Sequence, residues 1–430
     1  MSETNRMIHT PEGVRDIYTG ECGRRLAVQE RILKVLYSYG YEQIQTPSFE
    51  FMETFRQDRG SAGSREMFKF FDRDNNTLVL RPDMTPAIAR CVAKYFKDET
   101  MPLRLCYLER TYKNNSSYQG RLKERTETGA ELIGDNCADA DGEMIALVTA
   151  CLKASGLEEF QVELGQARFY QSLLEEAGLD EETEEELSRL IENKNPFGVE
   201  ALLKERPMRE ELRRLFIRLP ELFGTADEIR QVRTLTDNPK ALEAVDRLLQ
   251  VHQVIEACGL SRYVTYDLGM LSNYRYYTGI IFKAYTYGTG EYIATGGRYD
   301  GLLSKFGKDF PAIGFAIVLD RLMDALSRQN IPVEFKQTNT LLLYEESARK
   351  NALWLAGYLR NHGLYLQSMK RREDKTKEDY RQMGERRGFR NLLYLEGDGR
   401  IVRNLDLVRG CEDQVPLSAY GYGPEEGGES

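Results

Sequence analysis

The sequence predicts an α+β protein whose main domain is an antiparallel sheet with flanking helices. Strand-like segments stand on both sides of a helical, heavily charged stretch at about 169–260, and shorter strands and helices alternate after residue 340. A chain of 430 residues is also too long for one ordinary core. We therefore expect a main domain at 1–328 that contains the helical stretch as an insertion, interpreted as a solvated structural arm, and a small α/β domain at 340–410.

Apolar periodicity assigns the elements of the main domain in chain order. Residues 24–40 have the spacing of a helix that ends at Gly40, and residues 84–97 predict a helix with Pro86 in its first turn, where proline is tolerated. Segment 313–328 also predicts a helix. Alternating or β-branched runs predict strands at 41–51 (interrupted by Pro47), 67–83 (two strands around a turn), 103–109, 127–133, 264–269, 279–285 and 291–297.

The last hundred residues follow a different pattern. Residues 329–339 are expected to form a linker, and strands alternate with helices from residue 340. The glycine- and glutamate-rich end of the chain leads us to expect a disordered tail over 411–430.

Composition restricts the class of protein. The hydrophobic fraction is 41% and the charged fraction 30%, which is typical of a soluble globular protein. The sequence contains no apolar run of about 18 residues, so no membrane span is expected. The first residues lack the apolar core of a secretory signal. The expected location is therefore the cytoplasm. The net charge of −9 argues modestly against a nucleic-acid partner.

No familiar cofactor or metal motif is present in the sequence. The seven cysteines are scattered and contain no Cys-x-x-Cys pair, which indicates reduced thiols rather than disulfides or a zinc site. The three histidines lie far apart, so a metal centre built on them is not expected. Neither a phosphate-binding P-loop nor a Gly-x-Gly-x-x-Gly fingerprint occurs, and we expect no cofactor.

Two polar motifs suggest one small-molecule pocket. In 80-LRPDMTP-86, Asp83 and Thr85 stand at a predicted helix N-terminus, where Asp83 can accept a hydrogen bond from an ammonium group or simply cap the helix. In the hairpin that follows residue 109, Glu127 and Glu131 share one face of a strand. If this face lines a pocket, the pocket prefers a cation; a charged hairpin edge is the alternative. The connecting loop is basic and carries Lys113, Arg121, Lys123 and Arg125.

Aromatic and glycine-rich motifs supply further candidates. In 271-LSNYRYYTGIIF-282, Tyr276 and Tyr277 are expected to point to opposite faces of a strand, one lining a pocket and one packing behind it. An ordinary pair of core and edge tyrosines is the alternative. The glycine-rich segment at 296–307 and the segment after it carry two possible charge partners, Arg298 and Arg321.

Together and in this order, these segments resemble the histidyl-tRNA synthetase family of class II synthetases over roughly residues 8–328. The segments that carry the resemblance are 11-PEGVRD-16, 40-GYEQIQTPSFE-50 (motif 1, the dimer strand), the Glu109–Arg110 loop (motif 2) and 313-IGFAIVLDRL-322 (motif 3). The resemblance implies a class II synthetase-like fold and an amino-acid pocket. The implied histidine-binding residues are Asp83, Thr85, Arg110, Glu127, Glu131, Tyr276 and Tyr277, with Ser272, Arg298 and Arg321 as possible additional pocket residues.

The departures from the synthetase pattern concern catalysis. The resemblance places Ser272 where the synthetases carry the arginine that stabilises charge during attack on ATP. A serine hydroxyl cannot supply this charge, and such a loss commonly costs about a hundredfold in rate or more. Lys123 and Glu127 also replace the arginine and glutamine of motif 2. We therefore expect no catalytic residue in this chain.

The phrase LRPDMTP and the acidic composition resemble a non-synthetase branch of this family, the regulatory subunits of the short-form ATP phosphoribosyltransferase. That resemblance implies a separate catalytic partner subunit, a hetero-octamer built on class II-like dimers, free L-histidine as ligand and a part in feedback inhibition of histidine biosynthesis. Two alternatives remain open: an active histidyl-tRNA synthetase, and a synthetase-like regulator that senses tRNA. The basic stretch at 370–390 could touch RNA, but a solvated helix face is the favoured interpretation, and tRNA is not the expected partner.

Overall fold

The computed structural model describes residues 8–55, 64–96, 98–115, 122–271 and 276–422. The chain forms two compact units. The larger unit ends at Val333, and the smaller one begins at Glu334 and also takes in Thr19–Gly23. None of the helices in the described part of the chain combines the length and the apolar character that crossing a membrane requires.

The larger unit contains most of the regular structure. Its strands are β1 (Glu42–Gln43), β2 (Phe49–Phe51), β3 (Lys69–Phe71), β4 (Thr77–Leu80), β5 (Leu103–Tyr112), β6 (Glu124–Ile133), β7 (Phe160–Gln166), β8 (Phe223–Gly224), β9 (Val264–Asp267), β10 (Ile280–Thr286), β11 (Ala294–Arg298) and β12 (Ala312–Val318). The helices, of which the first starts at the residues grouped with the smaller unit, are α1 (Thr19–Ser38), α2 (Thr85–Tyr95), α3 (Ala138–Ser155), α4 (Ala167–Ala177), α5 (Glu181–Glu192), α6 (Pro196–Leu203), α7 (Glu210–Arg218), α8 (Ala226–Val232), α9 (Pro239–Ala257) and α10 (Leu319–Arg328).

A nine-stranded sheet organises this unit, in the order β1-β5-β6-β12-β11-β10-β7-β9-β8. The β1–β5 and β7–β9 pairs are parallel, and all other neighbours are antiparallel. Strands β2, β4 and β3 form a separate three-stranded antiparallel sheet. The long hairpin β5–β6 therefore sits beside β12, although β12 follows almost two hundred residues later in the chain.

The helices between β7 and β9 belong to the main core. Their starts are well capped: the Asp180 side chain accepts a hydrogen bond from the Thr183 backbone N–H at 3.0 Å, and Asn238 caps α9 in the same way. Leu187, Phe216 and Leu248 are fully buried in the hydrophobic cluster that also contains the inner face of the sheet. The interpretation of this insertion as a solvated arm is therefore wrong, because the apolar side chains of its helices are buried in the same hydrophobic cluster as the sheet.

Segment 313–328 does not form one helix. Residues 312–318 form β12, a central strand, and the helix begins only at Leu319. The strand is covered on both faces, so its residues are almost all buried and the sequence reads as an unbroken apolar run. Such a run cannot be distinguished from a buried helix by periodicity. The alternation of Ile313, Phe315 and Ile317 with small residues is the signal for a strand that the helix prediction overlooked.

The smaller unit is an α/β structure with its own sheet. Its elements are β13 (Thr340–Tyr344), α11 (Arg349–Asn361), β14 (Leu366–Lys370), α12 (Lys377–Arg386), β15 (Asn391–Leu395), β16 (Ile401–Asp406) and β17 (Cys411–Pro416). The sheet order is β14-β13-β15-β16-β17, with parallel pairs around β13 and antiparallel pairs at β16. The prediction of a disordered tail from residue 411 is wrong for β17, which pairs with β16 along its whole length. Residues 423–430 lie outside the described part of the chain.

Candidate functional site

A pocket opens in the larger unit where the start of α2, the β5–β6 hairpin, β11 and β12 meet. It encloses about 560 Å³ of space between atoms, including the part open to solvent. The residues that line the pocket are Pro82, Asp83, Thr85, Lys113, Arg125, Glu127, Tyr276, Tyr277, Tyr292, Thr295, Tyr299, Gly314, Phe315, Ala316 and Val318.

The start of α2 brings one carboxylate to the pocket. Thr85 is the first residue of this helix, and its backbone N–H donates to Asp83 Oδ1 at 3.2 Å. The second carboxylate oxygen, Oδ2, accepts a hydrogen bond from the Tyr276 hydroxyl at 3.2 Å. Asp83 thus orders the helix start and an aromatic wall together, while its side chain remains on the pocket surface.

Glu131 lies directly behind the wall formed by Thr85, Tyr299 and Gly314. The Thr85 hydroxyl donates to Glu131 Oε1 at 2.9 Å, and the Tyr299 hydroxyl donates to Oε2 at 2.5 Å. On the neighbouring strand, Gly314 pairs with Glu131. A Cβ at position 314 would lie 1.6 Å from Glu131 Oε2, so only glycine leaves room for this carboxyl group.

Burial dominates the electrostatics of Glu131. The residue is 1% exposed, and this burial raises its pKa to about 8, although the hydroxyls of Tyr299 and Thr85 act in the opposite direction. The negative charge of Asp83 raises this pKa further. At neutral pH the carboxyl group is therefore mostly protonated, and a cation bound against this wall would favour its ionised form.

Glu127 adds a third carboxyl group on the same face of β6. Glu127 is half-buried, and the loss of solvent around its carboxyl group raises its pKa; the positive charge of Lys113 opposes this shift and the negative charge of Asp83 adds to it. The negative charge of Asp83 thus raises the pKa of both Glu127 and Glu131. This end of the pocket is suited to a group that carries positive charge or donates hydrogen bonds.

The paired tyrosines both line the pocket. Tyr276 and Tyr277 are largely buried, and their ring centroids lie 4.9 Å apart in an edge-to-face arrangement. The expectation that they point to opposite faces of a strand is wrong. The reason is that β10 begins only at Ile280, so both tyrosines belong to the turn before it and the alternation of strand side chains does not apply. Ser272 falls outside the described residues.

Arg110 does not reach the pocket, and its predicted place beside Glu127 and Glu131 is wrong. It pairs with Thr126 across the β5–β6 hairpin, which puts its side chain on the face of the sheet opposite Glu127. There it is 65% exposed, and its Nη1 donates to Glu124 Oε1 at 2.7 Å. The resemblance to the synthetases suggested Arg110 as a site residue, but the strand register places its side chain on the opposite face of the sheet.

Arg298 and Arg321 also lie outside the pocket lining, contrary to their prediction as additional pocket residues. Arg298 is buried, and its Nε donates to Asp141 Oδ1 at 2.8 Å in a structural ion pair. Arg321 forms an ion pair with Glu291 and stacks over the Tyr292 ring, 4.5 Å from its centroid. It therefore supports the pocket wall from behind without lining it.

Several lining residues escaped the sequence analysis as site residues, namely Lys113, Arg125, Tyr292, Thr295 and Tyr299. Strand parity identifies one of them: Arg125 lies two residues before Glu127 and shares its face of β6. The others come from segments that only the folded chain brings together. Within the described residues, no group of His, Cys, Asp and Glu side chains is arranged to hold a metal ion.

Comparison with known proteins identifies the family. The model of the histidyl-tRNA synthetase family matches residues 13–322. The ATP phosphoribosyltransferase regulatory subunit of Acetivibrio thermocellus is 40% identical over 399 residues, which cover 93% of each chain. The chain belongs to the ATP phosphoribosyltransferase regulatory subunit family. A regulatory subunit from Ruminiclostridium cellulolyticum, 37% identical over 84% of this chain and 86% of its own, supports the same assignment.

Solved structures agree with this membership. An ATP phosphoribosyltransferase regulatory subunit/histidyl-tRNA synthetase from Bacillus halodurans superposes with a TM-score of 0.81 at 31% identity, covering 91% of this chain and 99% of its own. Histidyl-tRNA synthetase from Nostoc sp. PCC 7120 also gives a TM-score of 0.81, over 96% and 98% of the two chains, at 19% identity. The latter shows the shared fold alone. The class II synthetase-like fold and the regulatory-subunit family predicted from the sequence are thus confirmed.

Proposed function

We propose that this chain is the non-catalytic regulatory subunit of an ATP phosphoribosyltransferase, paired with a separate catalytic subunit, and that its pocket binds free L-histidine as a feedback signal. The observation that carries the proposal is a tyrosine-walled pocket that is lined by Asp83 and Glu127 and has Glu131 directly behind its wall, in a chain of this family. Histidine offers an ammonium group and an imidazole, which are the groups that these carboxyl groups would bind.

The positions of the carboxyl groups suggest which of them would bind the ammonium group of histidine and which would bind its imidazole. Asp83 lies at the pocket surface next to the N-terminus of α2 and can accept a hydrogen bond from the ammonium group. Glu131 holds the hydroxyls of Thr85 and Tyr299 and can ionise in response to a nearby imidazolium. The tyrosine rings provide an apolar wall for the imidazole plane.

Feedback requires that histidine distinguish two states of the complex. A ligand shifts an equilibrium only by its difference in affinity for the two states. A tenfold preference would change the balance by about 1.4 kcal/mol. We therefore propose that occupancy of this pocket biases the assembled enzyme between an active and an inhibited form, in the first step of histidine biosynthesis.

The three-stranded sheet supports self-association of the chain as a class II-like dimer within a hetero-octamer. Phe49 and Phe51 lie on the same face of β2 and are each 53% exposed. Phe70 of β3 packs edge-to-face against Phe49, with ring centroids 5.8 Å apart. Exposed aromatic clusters of this kind mark interaction surfaces. Light scattering of the purified chain should give the mass of a dimer, and Phe51→Ser should shift it toward the monomer.

Isothermal titration calorimetry with L-histidine tests the binding proposal. We expect saturable binding to the purified chain, no histidine-dependent ATP–pyrophosphate exchange, and histidine-sensitive phosphoribosyl transfer once the catalytic subunit is added. Robust exchange would instead identify an active synthetase. If the chain binds histidine but phosphoribosyl transfer by the complex does not respond to it, the pocket has no part in feedback inhibition. Uncharged tRNA, added in a parallel titration, tests the remaining alternative of a tRNA-sensing regulator.

A further inference from the structure

Two basic side chains face the acidic cluster from the β5–β6 hairpin. Lys113 follows the end of β5, and Arg125 is the second residue of β6. Both line the pocket. Both positive charges also lower the pKa of Glu127, which places them within electrostatic reach of its carboxyl group. The lining of the pocket therefore combines carboxyl groups with two basic side chains close to Glu127.

The position of Arg125 is fixed by the strand around it. Arg125 and Glu127 lie on the same face of β6, and the residue between them, Thr126, donates its backbone N–H to Asp320 Oδ2 at 3.0 Å. Arg25 in turn donates to Asp320 Oδ1 at 2.7 Å, in an ion pair whose side chains are less than 10% exposed. This contact anchors the backbone of β6 between Arg125 and Glu127.

The other arginines considered for this role are engaged elsewhere. Arg110 pairs with Glu124 on the far face of the hairpin, Arg298 is held by Asp141, and Arg321 is held by Glu291 and Tyr292. Lys113 and Arg125 are therefore the cationic side chains that line the pocket among the residues that the structure describes.

We propose that Arg125 and Lys113 form an anion subsite that binds the α-carboxylate of the amino-acid ligand and so selects free amino acids over their decarboxylated amines. The inference rests on the proposed histidine site and specifies its second half. A zwitterion matches a pocket that is lined by both signs of charge, because its ammonium group would pair with Asp83 and its carboxylate with the two cations. Arginine is well suited to this task, since its planar guanidinium can donate two parallel hydrogen bonds to a carboxylate.

Calorimetry with two ligands tests the subsite. L-Histidine and histamine share the imidazole and the amine, but histamine lacks the carboxylate. The variants are Arg125→Gln and Lys113→Gln, and Arg110→Gln is the matched control, because it removes the same charge from the same hairpin on the opposite face. Thermal unfolding of each variant, compared with the unmodified chain, verifies that the fold is retained. The Lys113 variant serves alone if the Arg125 variant does not fold.

The expected result is selective. The unmodified chain should bind histidine at least tenfold more tightly than histamine. Arg125→Gln and Lys113→Gln should each weaken histidine binding by roughly ten- to a hundredfold, the range for a hydrogen bond to a charged group. Histamine affinity should change less than about twofold, as should histidine affinity in Arg110→Gln. Inorganic phosphate at millimolar concentration should not compete with histidine.

Four outcomes would overturn the inference, and they are distinguishable. Unchanged histidine affinity in both pocket variants would leave the histidine site standing and remove the subsite. Equal weakening of histidine and histamine would mean that the two cations do not recognise the carboxylate. Strong competition by phosphate would assign the subsite to a phosphate group instead. If the unmodified chain binds no histidine at all, the proposed function fails and the subsite fails with it.

Discussion

The buried carboxyl group of Glu131 makes the stability of the larger unit depend on pH. Its pKa is raised from an ordinary value of 4.5 to about 8. Because the folded-state value is the higher one, the folded protein retains a proton that the unfolded chain releases. The neutral carboxyl group therefore makes its full contribution to the free energy of unfolding below about pH 4, and this contribution is lost as the pH rises toward 8.

The replacement Glu131→Gln should remove this dependence, because glutamine has a similar shape and does not ionise. One unit of pKa corresponds to about 1.4 kcal/mol, so the shift implies a loss of up to about 5 kcal/mol for Glu131 between pH 4.5 and 8. We expect the variant to be more stable than the unmodified chain at pH 8, by several kcal/mol, with the difference shrinking at pH 5. The same variant should bind histidine at least about tenfold more weakly.

Urea unfolding at pH 5, 6, 7 and 8, followed by far-ultraviolet circular dichroism, measures this difference. The sequence contains a single tryptophan, Trp354, which lies in the smaller unit and reports the unfolding of that unit separately. Glu124→Gln is the matched control, since this glutamate lies on the same strand but on the opposite face. Parallel pH profiles for Glu131→Gln and the unmodified chain would refute the reasoning.

Two further perturbations follow from the packing of the site. Gly314→Ala places a methyl group 1.6 Å from the Glu131 carboxylate and should abolish detectable histidine binding in a calorimetric titration, whereas Gly301→Ala, with open space around it, should bind normally. Asp320→Asn leaves the buried Arg25 guanidinium without its carboxylate and should lower the free energy of unfolding by about 3–5 kcal/mol. Lys34→Gln, which removes a well-exposed ion pair, should cost less than about 1 kcal/mol in the same urea titration.

The sequence predicted those features that depend on local pattern or on strand parity. The strand-rich main domain and the placement of Glu127 and Glu131 on one face follow from alternation along β6. Parity also explains the error at Arg110, because an even-numbered residue of β5 pairs with an even-numbered residue of β6 and cannot share a face with the odd-numbered glutamates. A resemblance between motifs supplies residue types, whereas the register decides which side of the sheet they occupy.

Features that depend on distant pairing could not be derived in this way. The environment of Glu131 comes from Thr85 at the start of α2, from Tyr299 after β11 and from Gly314 on β12. Nothing near position 131 in the sequence indicates that its carboxyl group will be buried between these segments. Because the sequence analysis predicted a helix over β12, it could not place Gly314 on a strand opposite Glu131.

The cost of this arrangement bears on what the pocket is for. A carboxyl group with a pKa raised to about 8 is one whose ionised form is disfavoured by burial, so its ionisation lowers the stability of the fold. The surrounding residues nevertheless accommodate it, with a glycine opposite the carboxyl group and two hydroxyls donating to it. Active sites commonly trade stability for binding in this way. A cationic ligand would offset the cost by stabilising the ionised form, which is the effect that the proposed binding of histidine requires.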